Sequence, residues 1–315
     1  MIDLSKLKHI HCIGIGGIGL SAIAEILLRE GYTVSGSDMK EGETTDRLIS
    51  CGANIFLGHR AKNIAGAELI VYSSAVPSSN PELVAADELG IPTATRAEIL
   101  GLLMARRRNS VAVAGAHGKT TTTAMISLTL LEHGLDPTIL VGGNLPEIAG
   151  NVSVGGSEYF VTEACEYMDS FLELSPRYAI ILNIDSDHLD YFEDIDHIVR
   201  SFDRFANLVH EDGAVVAFDA NPFVSGIIRD TDRRVITFGF HAGCTYCAQD
   251  VRFNADGMPA FTIYFEDREL IRIQLAIPGD HNVANALAAF ACCHDMGLAP
   301  EQIAQTFTGF TGTQR

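Results

Sequence analysis

Lys119 has the clearest chemical task in this sequence. It stands in Gly115-Ala116-His117-Gly118-Lys119-Thr120-Thr121, preceded by the apolar run "SVAVAG" and followed by a helix-forming stretch. A strand, a tight glycine turn and a helix N-terminus in that order form a cradle for phosphate. Backbone N–H groups face the anion, the lysine ammonium reaches the β and γ phosphates, and the Thr120 hydroxyl faces a magnesium ion. The usual loop has a further glycine five residues before Gly118, where this chain has Val113, so a shortened cradle is expected. Thr121 to Thr123 are poor helix-interior residues, and their hydroxyls are expected to cap the first turn or face the ligand.

Two more positions belong beside it on topological grounds. Glu163 closes "EYFVTEA" and His188 closes "YAIILNIDSDH", and ligands of an open parallel sheet bind outside the carboxyl ends of its strands. Lys119, Glu163 and His188 are therefore the candidate catalytic residues. Thr120, Glu163 and His188 make a candidate divalent-metal shell, although magnesium prefers oxygen donors. Glu166, Asp185, Asp187 and Asp190 read equally as ordinary loop acids. Farther on, "GDHNVANALAAF" places His281, Asn282 and Asn285 at a helix start. Asn282 and Asn285 share a helix face from which amides can read an adenine edge, while Asn282 equally fits a helix cap.

A second glycine loop, Gly14-Ile15-Gly16-Gly17-Ile18-Gly19, follows the strand-like "HIHCIGI" and opens a helix. Such a turn lets amides approach a diphosphate, and Asp38, at the end of the next strand, stands where dinucleotide folds place a ribose-binding acid. Alone, this loop suggests an NAD-dependent dehydrogenase; the second phosphate loop and the Glu163/His188 pair argue against it. Ser73 and Ser74 in "YSSAVPSSNPE" offer further phosphate or sugar contacts, or an ordinary turn. Cys244 and Cys247 are the one spaced cysteine pair, and without a second pair they read as two strand cysteines rather than a zinc or redox site.

The elements that must hold these loops show a βαβ rhythm in both halves, which implies parallel sheets with right-handed crossovers. The polar "RRRNS" segment divides an expected first domain, 1–107, from a second, 108–315; near the end, "AQDVRF" and "AFTIYF" alternate like an antiparallel edge. The chain has 315 residues, 47% of them hydrophobic, enough for two cores. No apolar run reaches membrane-spanning length and no signal-peptide pattern opens the chain, so a cytoplasmic protein with no membrane partner is expected. Seven scattered cysteines fit reduced thiols. A net charge of −18, with only five lysines and no basic patch, excludes a nucleic-acid footprint. A phosphorylated ligand must then be held by amides, metal ions and a few cations.

Taken together, "IGIGGIGLSAIAEIL", "GAHGKTTTT", "TEACEYMDSFL", "NIDSDHLDYF" and "GDHNVANALAAF" resemble the muramyl ligases, ATP-dependent amide-forming enzymes of peptidoglycan precursor synthesis. The resemblance covers the whole chain in order. It implies an α/β fold with a Rossmann-like N-terminal domain for the UDP part of the substrate, then a P-loop-type α/β central ATPase domain with a mostly parallel sheet. By resemblance, Gly115 to Thr121 and Asn144 take ATP and magnesium, while His281, Asn282 and Asn285 surround the adenosine and Arg315 contacts the nucleotide. Glu163 and His188 take the second metal position. Gly14 to Gly19, Ser73 and Ser74 take the uridine diphosphate, with Asp38 and His59 as further uridine candidates. The branch that joins L-alanine to UDP-N-acetylmuramate matches best, and a murein-peptide recycling ligase is the alternative. Several relatives hold the second magnesium with a carbamylated lysine; this chain has no lysine after Lys119, and Asp203 is a substitute candidate. The family has a third, C-terminal amino-acid-binding domain, whereas this sequence stops at "FTGFTGTQR", which leads to the expectation of a truncated chain and of a non-catalytic nucleotide-binding fragment as a further alternative.

Overall fold

The computed structural model describes residues 2–314, which fall into two units dividing between Leu103 and Met104. In the first unit, β1 (His9–Ile13), α1 (Ile18–Arg29), β2 (Thr33–Asp38), α2 (Glu43–Ser50) and β3 (Asn54–Leu57) build one direction of a sheet. The chain then returns through β4 (Leu69–Tyr72), α3 (Pro81–Leu89), β5 (Thr93–Thr95) and α4 (Arg96–Met104). All four pairings are parallel, in the order β3-β2-β1-β4-β5. The order reverses beside β1, and the loop leaving that strand is the Gly14–Gly19 loop. That is the switch point where an open α/β sheet forms a crevice.

The second unit holds one larger sheet. Its first elements are β6 (Asn109–Ala114), α5 (Lys119–Glu132), β7 (Thr138–Leu145), β8 (Gly150–Ser153), β9 (Tyr159–Glu163), β10 (Tyr178–Ile181), α6 (Ile195–Asn207), β11 (Ala214–Phe218) and α7 (Pro222–Asp230). There follow β12 (Val235–Gly239), β13 (Tyr246–Phe253), β14 (Pro259–Phe265), β15 (Arg268–Gln274), α8 (His281–Asp295) and α9 (Pro300–Gly309). The strand order is β15-β14-β13-β12-β11-β10-β6-β9-β7-β8. Pairing is parallel from β7 to β13 and antiparallel at both edges. Strands β6 and β10 are buried almost throughout and lack alternation, as expected of strands covered on both faces. Helices α5 and α8 supply much of the cover, with Met125, Leu128, Phe290 and Cys293 in one cluster with the sheet.

Several local expectations change. The "YAIILNIDSDH" strand stops at Ile181, so His188 lies on a loop rather than at a strand end. Cys247 is in β13, but Cys244 precedes the strand, in an isolated bridge with Ala242. No disulfide joins any of the seven cysteines. Thr122 and Thr123 point into the core, fully buried and without side-chain partners, because the helical period turns them toward the sheet. No helix among the described residues is long and apolar enough to cross a membrane.

Candidate active site

The Gly115–Gly118 loop, expected from the sequence to cradle phosphate, leaves β6 and enters α5 through Gly118, whose φ of +89° is left-handed. A Cβ there would overlap Asn285 Oδ1 and stand 3.1 Å from Leu182 Cδ1, so glycine is required both by conformation and by the close approach of α8. No side chain caps α5, which leaves its first N–H groups directed at the space ahead of the helix. That space is a cavity of about 400 Å³ lined by Ala116, Gly118, Lys119, Thr120, His281 and Asn285, with His117 and Thr121 completing the wall. The loop is stitched to the strand beside it. His117 N–H donates to Asn183 Oδ1 at 2.9 Å, and Asn183 Nδ2 donates back to the His117 carbonyl at 2.9 Å.

Lys119 Nζ donates to the Gly115 carbonyl at 2.5 Å and to both Glu166 carboxylate oxygens at 3.0 and 3.1 Å. Glu166 is only 3% exposed, so its charge is matched locally by this ammonium. His188 Nε2 lies 3.8 Å from Glu166 Oε1, and one donor atom each from Glu166, Asp187 and His188 come within 4.8 Å of one another. A carboxylate pair with an imidazole is a donor set a divalent cation accepts. The backbone is strained here: Met168, Asp169 and His188 all have positive φ, near 53–55°. Non-glycine residues hold such angles only where their surroundings fix them. The Tyr167 ring packs against His188 at 4.9 Å, and its hydroxyl donates to Asp190 at 3.0 Å, a bond that pushes the phenol's pKa up.

Glu163 takes a different course. As the last residue of β9 it accepts the Gly142 N–H at 2.5 Å, where a Cβ on Gly142 would crowd both carboxylate oxygens. Gly143 brings β7 past Thr120, since a Cβ there would stand 3.3 Å from Thr120 Cγ2. Asn144 pairs with Gln314, N–H to carbonyl at 2.8 Å and back at 2.9 Å. Arg315 lies outside the described residues. Asp203 accepts from Asn207 one turn along α6 and does not join the Glu166, Asp187 and His188 group.

Adjoining the cavity ahead of α5, through His281 and Asn285, is a second pocket of about 510 Å³, walled by Phe218, Phe238, Phe240, His281 and Asn285. Flat apolar walls beside amides suit an aromatic base. Asn285 lines both cavities, but Asn282 is spent internally: its Nδ2 donates to the Pro278 carbonyl at 2.7 Å and its Oδ1 accepts from Asn285 Nδ2 at 3.0 Å. Asn282 thus orients Asn285. The sequence places Glu166 only among loop acids, and it gives no reason to expect Asn183 or the three phenylalanines at the site. Asn183 and Glu166 sit inside "NIDSDH" and "TEACEY", while the phenylalanines end ordinary apolar strands and give no signal of their own.

In the first unit a cavity of about 790 Å³ opens above β1. Gly14, Gly16, Gly17, Ile18, Gly19, Asp38 and Ser73 line it, together with two cations, Lys40 and Arg96. Gly16 N–H donates to Asp38 Oδ2 at 2.8 Å, so this acid braces the glycine loop. Helix α1 also starts without a side-chain cap, at Gly17. Ile15 faces the core and is fully buried, and Ser74 and His59 do not line the cavity. His59 Nδ1 instead meets Ser37 Oγ at 2.9 Å and Glu82 Oε2 at 3.2 Å. Burial opposes ionisation of Glu82, but the His11 imidazole 3.8 Å away and hydrogen bonds from Ser37 and Asn63 outweigh it and hold the carboxyl down at about 2.

Comparison with known proteins gives these cavities a context. The Mur ligase family catalytic domain matches residues 9–108 and the Mur ligase middle domain residues 113–293. The chain is 50% identical over 314 residues to the UDP-N-acetylmuramate–L-alanine ligase of Alkaliphilus metalliredigens, covering 100% of this chain and 68% of that protein. It is 48% identical to the ligase of the same name from Acetivibrio thermocellus, covering 100% of this chain and 67% of that one. Among solved structures it superposes on the UDP-N-acetylmuramate-alanine ligase of Thermotoga maritima with a TM-score of 0.83 at 31% identity, over 98% of this chain and 70% of that one. A UDP-N-acetylmuramate:L-alanyl-gamma-D-glutamyl-meso-diaminopimelate ligase from Neisseria meningitides gives 0.88 at 27% identity, over 98% and 100%. With two family domains in sequence and half its residues shared with a curated relative, the chain belongs to the Mur ligase family.

Proposed function

We propose that this chain acts as an ATP-dependent ligase of peptidoglycan precursor synthesis in the cytoplasm, joining L-alanine to the lactyl carboxylate of UDP-N-acetylmuramate. The observation that carries the reading is the meeting of Lys119, Glu166 and His188 at the mouth of an uncapped helix, in a chain 47–50% identical to three curated ligases of that name. The lactyl carboxylate oxygen attacks the γ-phosphorus of ATP and the bond to the β-phosphate oxygen breaks, giving an acyl phosphate and ADP. The neutral amine of L-alanine then attacks the acyl carbon, phosphate departs with the bonding pair, and the amine proton is lost to form the amide.

The chain's residues supply position and charge for this. The first-turn N–H groups of α5 and the Lys119 ammonium hold the β and γ phosphates, and Lys119 exchanges Glu166 for phosphate oxygen as the nucleotide enters. Asn183 fixes the loop, and Asn285 with the Phe218, Phe238 and Phe240 walls holds the adenosine, while Asn282 keeps Asn285 in place. In the first unit, the Gly14–Gly19 amides with Lys40 and Arg96 take the diphosphate of the UDP-substrate. Magnesium fits the donors that come together, Glu166, Asp187 and His188, which would hold it, with Thr120 and Glu163 proposed as further oxygen donors, and it would screen the charge on the transferring phosphoryl group.

The test is amide formation from UDP-N-acetylmuramate, L-alanine and ATP by a full-length ligase carrying this sequence, read by product mass. Lys119→Ala should lower kcat by roughly 10²–10³-fold or more, the loss seen when one preorganised charge donor is removed. Near-normal turnover by that variant refutes the role. The murein-peptide ligase reading is favoured by the 0.88 TM-score alone; product with the tripeptide but none with L-alanine would establish it.

A further inference from the structure

Apart from the phosphate and diphosphate cavities, the described residues bring together one more group of metal-ligating side chains, Asp219, His241 and Cys244. Asp219 follows β11, and His241 and Cys244 occupy the turn between β12 and β13. We propose that these three side chains form a site for a zinc-class divalent transition-metal ion, separate from the magnesium–phosphate site.

Geometry is the first argument. His241 Nε2 is 3.1 Å from Asp219 Oδ2, and Cys244 Sγ is 3.6 Å from His241 Nε2 and 3.8 Å from Asp219 Oδ2. Tetrahedral zinc with bonds of about 2.3 Å to sulfur and about 2.0–2.2 Å to nitrogen and oxygen requires roughly 3.4 Å between N and O and roughly 3.6 Å from S to either. The triangle needs adjustments of only a few tenths of an ångström to close on an ion.

The imidazole supplies the second argument. His241 Nδ1 lies 2.9 Å from the Ala242 carbonyl oxygen, which can only accept, so this nitrogen carries a proton. In the neutral ring the Nε2 lone pair then faces a carboxylate oxygen at 3.1 Å. Two lone pairs at that distance need a positive centre between them, either a metal ion or a second ring proton. A ring nitrogen oriented by a backbone carbonyl while the other faces anionic donors is the usual arrangement of a metal-bound histidine.

Burial and softness narrow the ion. Cys244 is only 3% exposed, and a Cβ on Gly239 would come 3.0 Å from its sulfur, so the thiol is fixed from the protein side. His241 and Asp219 are open, with side chains 56% and 29% exposed, which leaves solvent access for an ion and its fourth ligand. Gly243, at φ +101°, permits the tight turn that sets His241 and Cys244 together. Thiolate and imidazole favour zinc or cobalt over magnesium. The ion would tie the end of β11 to the turn after β12, directly beside Phe218 and Phe240, whose rings lie 6.0 Å apart in the wall of the base pocket.

Cobalt(II) added to the purified chain tests this, because a cysteine ligand gives a thiolate-to-cobalt charge-transfer band. The expected result is one equivalent of cobalt with that band in the wild type and in Cys247→Ser and Cys51→Ser, and its loss in Cys244→Ser. Zinc affinity, measured by competition with a chromophoric chelator, should fall at least about tenfold in His241→Ala and Asp219→Asn, both checked for unchanged circular dichroism. Absence of the band in the wild type, its persistence in Cys244→Ser, or unchanged zinc affinity in both other variants would overturn the site in favour of an imidazolium–carboxylate pair. None of these readouts depends on ligase activity.

Discussion

Gly118→Ala tests the phosphate loop most severely. At φ +89° an alanine pays the left-handed penalty, about 1–2 kcal/mol. Its Cβ would also overlap Asn285 Oδ1, and that amide is not free to swing away, being only 5% exposed and bonded through Nδ2 to Asn282 at 3.0 Å. Breaking this bond adds about 0.5–1.5 kcal/mol. The sum, about 1.5–3.5 kcal/mol, corresponds to a fall in Tm of roughly 3–14 °C for a domain of this size. Thermal unfolding followed by circular dichroism measures that part. ATP affinity should fall as well, because Asn285 lines both the phosphate and the base pockets. Adding Asn285→Gly to Gly118→Ala should recover part of the Tm loss, since it removes the overlap but leaves the backbone strain. A single variant with wild-type Tm and ATP affinity would refute the close approach of loop and α8 on which the site rests.

Other perturbations separate the remaining contacts. Asn183→Ala removes both bonds to His117 and should weaken ATP binding by about tenfold, at roughly 1–2 kcal/mol, while leaving UDP-N-acetylmuramate affinity unchanged by calorimetry. Glu166→Gln frees Lys119 from its ion pair; turnover should fall while ATP still binds, and equal kcat would argue that Glu166 is only structural. The Glu82 carboxyl is held at about 2, below its ordinary 4.5, so its stabilisation is complete above pH 4.5 and lost as pH falls toward 2. Urea unfolding of the first unit should show that slope in the wild type and a flatter one in Glu82→Gln.

Backbone order was more legible in the sequence than side-chain direction. The two glycine loops announced themselves because a strand, a φ-permissive turn and an uncapped helix leave a sequence signature at fixed spacing. Strand β15 is not legible in the sequence because "RELIRIQ" is an edge strand carrying charges that blur its alternation. The strand-end rule selected Glu163, whereas Glu166, three residues later, is the carboxylate beside Lys119 and His188. The difference arises in the turn after β9, where Met168 and Asp169 adopt positive φ, a conformation their residue types do not signal. His188 reaches the site from a left-handed loop position rather than from a strand terminus. Spacing fixes the helix face of Asn282 and Asn285 but leaves base contact and helix cap both open for Asn282; which amide turns inward depends on the Pro278 carbonyl packed behind it. Cys244 and His241 are brought together with Asp219 by a crossover between neighbouring strands, beyond the reach of local spacing.

On the proposed function, one chain holds a UDP-sugar in its first unit and ATP in its second. Thermal shift with separate additions of UDP-N-acetylmuramate, ATP with magnesium, and NADH tests it most directly. UDP-N-acetylmuramate and ATP–magnesium should each raise Tm, Lys119→Ala should lose only the ATP response, and NADH should have no effect. Stabilisation by NADH alone would contradict it.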